Sequence, residues 1–482
     1  MRTKTAAAAV RSLPYVDHFE LTEADYRRIL GLALARGGDF AEVFCEYRTF
    51  GFILMEEDII KETAESISLG LGIRVLKGEM TGYGYTNEPS WPEIKRAAQT
   101  AAAIASGRAA RPLSSLKRAR SSFRLYPVRV PSHRASLDQK IGLVREAYQT
   151  ARAHDPKIVK VKAALGDSIQ YVNIVNSDGL LIRDVRPLVK LSCSAIAEKD
   201  GRKESGYHGG GGRVGLEYFE QTLKPRTIGL EAAGEALRLL EAREAPAGEM
   251  PVVLAPGHAG VLIHEAVGHL LEADFHRRKT SVLWDKLGTQ VGSGLVTIID
   301  DPTIPGYRGS YNIDDEGTVP RPVLLIEKGK AVGLLQDFLT ARFFKAAPTG
   351  HGRREDYSFW PLPRMSNIYI AAGPHDPGEI IGSVRKGFYA EQFQGGQVED
   401  SGKFTFSVSS GYLIEDGRLT APVKQATLIG SNIDILKKVA MVGSDLKFSL
   451  QTGTCSKDGQ DVPVSDGCPT LKIARMTVGG LA

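Results

Sequence analysis

Cysteine is scarce in this chain: Cys45, Cys193, Cys455 and Cys468 are spread over 482 residues, with no Cys-x-x-Cys pair. So few exclude a disulfide scaffold, and a reducing compartment is the simpler expectation. Long apolar runs are missing as well. No stretch approaches the roughly 20 residues that span a bilayer. The run Ala6 to Val10, ended by Arg11, is too short for a secretory core. A soluble, cytoplasmic protein with no membrane partner is therefore expected.

Acidic residues are absent from one segment. Eight Lys or Arg lie between Arg108 and Arg134 with no Asp or Glu among them, more than the whole net charge of +5. Such a run, rich in Ser, Pro and Ala, is expected to be a solvated loop or strand border, and no nucleic-acid partner is expected. The four glycines Gly209 to Gly212 lack the Gly-Lys-Ser/Thr of a phosphate-cradling loop, so a flexible turn is expected there.

What is present is an ordinary globular composition, 42% hydrophobic and 24% charged. The length exceeds what one hydrophobic core usually fills. Thr22-x-x-Asp25 resembles a capping box opening an amphipathic helix that ends at Gly37-Gly38. Ala41 to Tyr47 has strand character, and Leu69 to Leu76 with Met80 to Tyr85 forms a hairpin turning at Lys77-Gly78-Glu79. Helices are expected near Trp91 to Ile104, Asp138 to Ala153 and Thr227 to Ala242. Between the last two lie two hairpins, turning at Asn176 to Gly179 and at Lys199 to Gly201. The Pro/Gly junction Glu244 to Gly248 is the expected domain boundary. Beyond it, Leu295 to Ile299, Val323 to Ile326, Phe404 to Val408 and Tyr412 to Ile414 alternate with turn residues, as mostly antiparallel sheet does.

The chemistry concentrates in Ile263-His-Glu-Ala-Val-Gly-His-Leu-Leu-Glu272, inside an apolar run expected to form a buried helix. A His-Glu-x-x-His zinc motif places its ligands about 40° apart around a helix. Here His264 and His269 are five residues apart, which turns the second ligand by roughly 140° in a straight α-helix. A single π-type turn would realign them, and Gly268 is where such a deformation is tolerated. Two imidazoles and one more protein ligand would leave a catalytic zinc open to water, with Glu265 as general base for peptide hydrolysis. Glu272, Asp314, Asp315, Glu316, Cys455 and Cys468 are the candidates for the third ligand, and local reasoning does not choose among them. Cys455 lies in a polar, glycine-flanked stretch with Lys457 two residues on, surroundings that favour an accessible thiolate. Cys45 and Cys193 sit in apolar strand patterns and are expected in the core.

At this point the sequence resembles the TldD/PmbA family of zinc metallopeptidases, in its TldD branch. The resemblance rests on the metal-binding stretch, Leu295 to Gly306, Asn312-Ile-Asp-Asp-Glu-Gly317, Gly352-Arg-Arg-Glu355, Leu362-Pro-Arg-Met365, Thr427-Leu-Ile-Gly430, and Gly453-Thr-Cys455 with Lys457-Asp-Gly-Gln460. It implies an α+β fold: an N-terminal α/β region over 1–245, with mixed sheets, flanking helices and a strand-rich middle at about 136–225. The C-terminal metallopeptidase region, 246–482, would be dominated by antiparallel sheet and carry the metal-binding helix. It further implies one Zn2+ per chain on His264, His269 and Cys455, Glu265 as base, unfolded or extended peptides as substrates, and a homodimer or a heterodimer with a TldE/PmbA-like subunit. Two departures stand out, Ser456 in place of a glycine and Gln394-Gly-Gly-Gln-Val-Glu399 in place of Gly-Gly-Gly-Gln-Val-Asp. Two other readings stay open: a non-catalytic peptide-binding subunit of a heterodimeric protease, and a hydrolase using Cys455 as nucleophile.

Overall fold

The computed structural model describes residues 13–107, 112–398, 402–450 and 453–480. The expectations placed on the N-terminal run, on Arg108 and Arg111, and on Glu399 lie outside these residues.

The N-terminal half is built on long strands. Phe40–Glu56 and Ile59–Lys77 form one antiparallel hairpin, and Ile158–Asn176 and Leu180–Lys199 form a second that pairs along the first. Met80–Thr86 and Arg202–Gly212 pair at the flanks, and the short Lys117–Arg118 adds the one parallel pairing, giving a seven-stranded mixed sheet among the described residues. Strands this long were not legible from Ala41 to Tyr47 alone, because beyond Tyr47 the hairpin is half-exposed and its alternation weak. Helices cover one face. Glu23–Leu34, opened by the expected Thr22/Asp25 capping box, and Trp91–Ala102 bury their apolar sides on the first hairpin. Leu137–Arg152 and Pro225–Leu240 do the same on the second.

Gly209 to Gly212 are not a flexible turn but the end of the strand Arg202–Gly212, paired with Val189 to Ser192. Their lack of side chains serves close approach: a Cβ on Gly210 would strike Leu223, and one on Gly212 the Gly306 carbonyl. The basic segment is likewise more than solvated loop. Arg118 is exposed at a strand border, but Leu125, Tyr126 and Val128 are buried and the Tyr126 hydroxyl donates to Asp184.

In the C-terminal half, Gly248–Leu254, Lys386–Val398, Lys403–Glu415, Arg418–Ser431 and Leu471–Gly479 pair in a closed circuit, a small barrel. A second seven-stranded sheet lies beside it. There Asn367–Ile370 runs parallel to Gln460–Cys468, which also pairs with the Gly453–Lys457 strand. The expected buried helix fills the space between barrel and sheet, with Leu262, Ile263, Ala266 and Val267 in one core with Phe388, Phe406, Ile298 and Ile368.

The two halves meet through buried charge. Arg74 bonds Glu42 and Glu316, Arg354 reaches Glu42, and Arg186 bonds Asp315, all nearly inaccessible to solvent. Replacing Arg74 by Met is expected to cost about 3–5 kcal/mol in urea unfolding, because Glu316 then loses its cation. A loss under about 1 kcal/mol would show that this network does not hold the halves together.

Candidate metal centre

The helix does what its five-residue spacing requires. Gly260–Ile263 is α-helical, His264–Gly268 is one π turn, and His269–Leu271 tightens into a 3₁₀ turn. The widened turn faces the two rings into one space, with centroids 5.3 Å apart. Gly268 plays a different part from the one expected. Its backbone is right-handed (φ −56°), which any residue adopts, but a Cβ there would run into the Met365 sulfur. Glycine is needed for packing rather than for backbone freedom.

Cys455 comes from the other side. Asp458 and Gly459, both with positive φ, turn a tight hairpin, so the Gly453–Lys457 strand alternates and places Cys455 and Lys457 on its inner face. Cys455 is therefore buried, 1% exposed, rather than accessible in a polar turn. Lys457 does not face the thiol: its Nζ donates to Glu272 (3.0 Å), Asp274 (2.7 Å) and the Pro363 carbonyl (3.1 Å).

The donor atoms of His264, His269 and Cys455 all lie within 4.8 Å of one another, with Cys455 Sγ 3.5 Å from His269 Nε2. Zinc bonds of about 2.0–2.3 Å in tetrahedral array place ligand atoms roughly 3.3–3.8 Å apart, so the set fits the ion. Each ring is held from behind. His264 Nδ1 bonds Asp466 (2.8 Å) and His269 Nδ1 bonds Glu272 (3.0 Å), leaving both Nε2 atoms for the centre. Glu272 thus bonds the outer nitrogen of a ring and is not among the three converging donor groups. Asp314, Asp315 and Glu316 belong to the buried network between the halves, and the Cys468 thiol donates to the Pro469 carbonyl. Cys45 and Cys193 are core residues. Asp466 escapes sequence reasoning, since nothing local links it to His264 some 200 residues earlier.

Burial alone would hold both rings neutral, but Asp466 and Cys455 outweigh it at His264, raising its pKa. Glu272 and Cys455 do so at His269, which rises to about 10. Cys455 moves the other way: burial resists the thiolate, yet the two rings hold the thiol well below its usual range. The rings and the thiolate thus favour one another's charged forms, and a dication bound between them would displace the ring protons. Glu265 stands at the open side, 31% exposed, with its carboxylate 3.9 Å from His269 Nε2.

Fold and site together define an α+β protein in which two histidines and one cysteine converge as a metal-type donor set beside the Glu265 carboxylate. The chain belongs to the PmbA/TldD metallopeptidase family: residues 41–105, 131–240 and 247–480 match the models of its domain 1, central domain and C-terminal domain. It is 42% identical over 451 residues to the metalloprotease TldD homolog of Haemophilus influenzae, covering 92% of this chain and 94% of that protein. The zinc metalloprotease TldD homolog of Saccharolobus solfataricus is 34% identical over 239 residues, 48% of this chain and 52% of that protein. The crystal structure of TldE from Thermococcus kodakarensis shares the fold, with a TM-score of 0.74 at 19% identity, over 95% of this chain and 99% of that one.

Two outcomes follow from the ring supports. Asp466→Asn is expected to weaken zinc affinity about 10- to 100-fold, read by competition with a chromogenic chelator. Burial opposes the Glu272 carboxylate, but Lys457 and His269 hold its pKa down at about 2, below the ordinary 4.5. Its contribution to stability is present above pH 4.5 and is lost as pH falls toward 2. Glu272→Gln should therefore flatten the acid limb of the stability curve in urea melts, and an unchanged slope would refute the assignment.

Proposed function

We propose that this chain is a zinc-dependent peptidase acting on unfolded or extended peptides, holding about one zinc per chain. The observation that carries this reading is the convergence of His264, His269 and Cys455 beside the Glu265 carboxylate. The name of the Saccharolobus solfataricus relative supports zinc as the ion.

When bound, zinc supplies a Lewis acid that acidifies water and polarises a peptide carbonyl. Glu265, facing the open side, takes a proton from the attacking water and returns it to the leaving amine. Asp466 and Glu272 fix the tautomers of the two rings, keeping the Nε2 lone pairs inward. Among the described residues the Gly453–Lys457 strand pairs on one edge only, leaving a second edge beside Cys455 for an extended peptide. Burial of Cys455 disfavours its use as the nucleophile, and the intact donor set disfavours a purely peptide-holding subunit. In the same proposal the chain forms a dimer, with a second copy or with a TldE-like partner of the fold this chain shares. Among the described residues no helix is long and apolar enough to cross a membrane.

Elemental analysis is expected to find about one zinc per chain in the wild type and little in His264→Ala or Cys455→Ala. Glu265→Gln should keep the metal while slowing cleavage of an unstructured peptide about 100- to 10,000-fold. A wild type that cleaves peptides at full rate without metal would overturn the reading.

A further inference from the structure

A cavity of about 260 Å³ lies between the N-terminal sheet and the Cys455 strand, with Thr454, neighbour of the donor cysteine, on its wall. Six arginines and six acids line it, so its distinctive feature is not net charge but one buried guanidinium, that of Arg213. Arg48, Arg213, Arg308 and Arg353 line it, and among the described residues none of the four pairs with a carboxylate. Arg308 and Arg353 are held by backbone carbonyls. Arg213 is 5% exposed and, among the described residues, its guanidinium has no hydrogen-bond partner; the Tyr126 ring lies 5.9 Å away. Arg48 lies over the Phe50 ring at 4.3 Å and is attracted by Glu46, Asp356 and Glu355, while its buried Nε has no hydrogen-bond partner among the described residues.

Among the described residues none of the wall acids bonds the Arg213 guanidinium, and Glu46, Glu355 and Asp356 attract Arg48 instead. Asp315 is taken by Arg186, Glu46 by Gln170 and the Tyr357 N–H, and Asp314 by the backbone of Glu316, Thr318 and Gly352. Guanidinium groups buried without a counter-charge are costly unless something supplies one. The strain shows in Arg213 and Arg308, whose pKa values burial drags down to about 10. A planar fork of N–H donors matches a carboxylate in charge and shape.

We propose that this cavity is a binding site for a carboxylate, held by Arg213 and Arg48 beside the strand that carries Cys455. The carboxylate would come from a peptide, as its C-terminus or an acidic side chain, or from a small free acid. Only the peptide source rests on the peptidase reading; the site itself does not.

Calorimetric titration of the full-length protein separates these cases, using an acetylated pentapeptide with a free C-terminal carboxylate, the same peptide amidated, and succinate. The acid peptide is expected to bind at least about tenfold more tightly than the amide, with the difference abolished in Arg213→Gln and in Arg48→Gln. If acid and amide bind alike but succinate binds the wild type and neither variant, the site stands and the free acid is its ligand. The proposal falls if no carboxylate probe binds, or if both variants bind as the wild type does. Thermal melts establish that the variants fold, and Arg48→Gln, which alters a half-exposed residue, carries the test if Arg213→Gln does not. Binding without turnover would count against the peptidase and leave the carboxylate site intact.

Discussion

The arrangement of this protein depends on one geometric constraint: two imidazoles five residues apart must point at one place. A regular α-helix sends them in different directions. The chain resolves this with a single π turn from His264 to Gly268, and such a turn persists only where its surroundings hold it. Those surroundings are the barrel on one side and the second sheet on the other, which bury the helix completely along Leu262, Ile263, Ala266 and Val267. Met365, against the face of Gly268, closes the packing at the centre of the deformation.

Around that turn the site is assembled from distant parts by ordinary devices. A tight hairpin at Asp458 and Gly459 sets the alternation that turns Cys455 inward. Two carboxylates, Asp466 on the same hairpin's return strand and Glu272 just past the helix, hold the rings by their outer nitrogens. Lys457 then balances Glu272, so the polar groups behind the donors form a connected, low-exposure network rather than isolated buried charges.

Buried ions are used in two contrasting ways. Between the halves, Arg74, Arg186 and Arg354 each meet carboxylates at close range, so desolvation is offset by Coulomb attraction and hydrogen bonds. Beside that network, Arg213 lines a cavity with no carboxylate bonded to its guanidinium among the described residues. The same interface thus holds a satisfied charge lattice and one unpartnered guanidinium, beside a cavity that Thr454 of the Cys455 strand also lines.

The sequence by itself determined the local features: the capping box at Thr22, the hairpin turns, the helix with its two histidines, and the need for a π turn, since each follows from spacing and residue type within a few positions. It also carried the family resemblance. It misjudged Gly209 to Gly212 and the setting of Cys455, because flanking polarity does not show which face of a strand turns inward. Local spacing left Cys455 open against Glu272 and the Asp314 to Glu316 acids, and only the resemblance pointed to it; the tertiary structure placed it facing both rings, brought Asp466 to His264, and assigned Gly268 to Met365. These are contacts between residues about a hundred to two hundred positions apart, fixed by how barrel, sheet and helix pack.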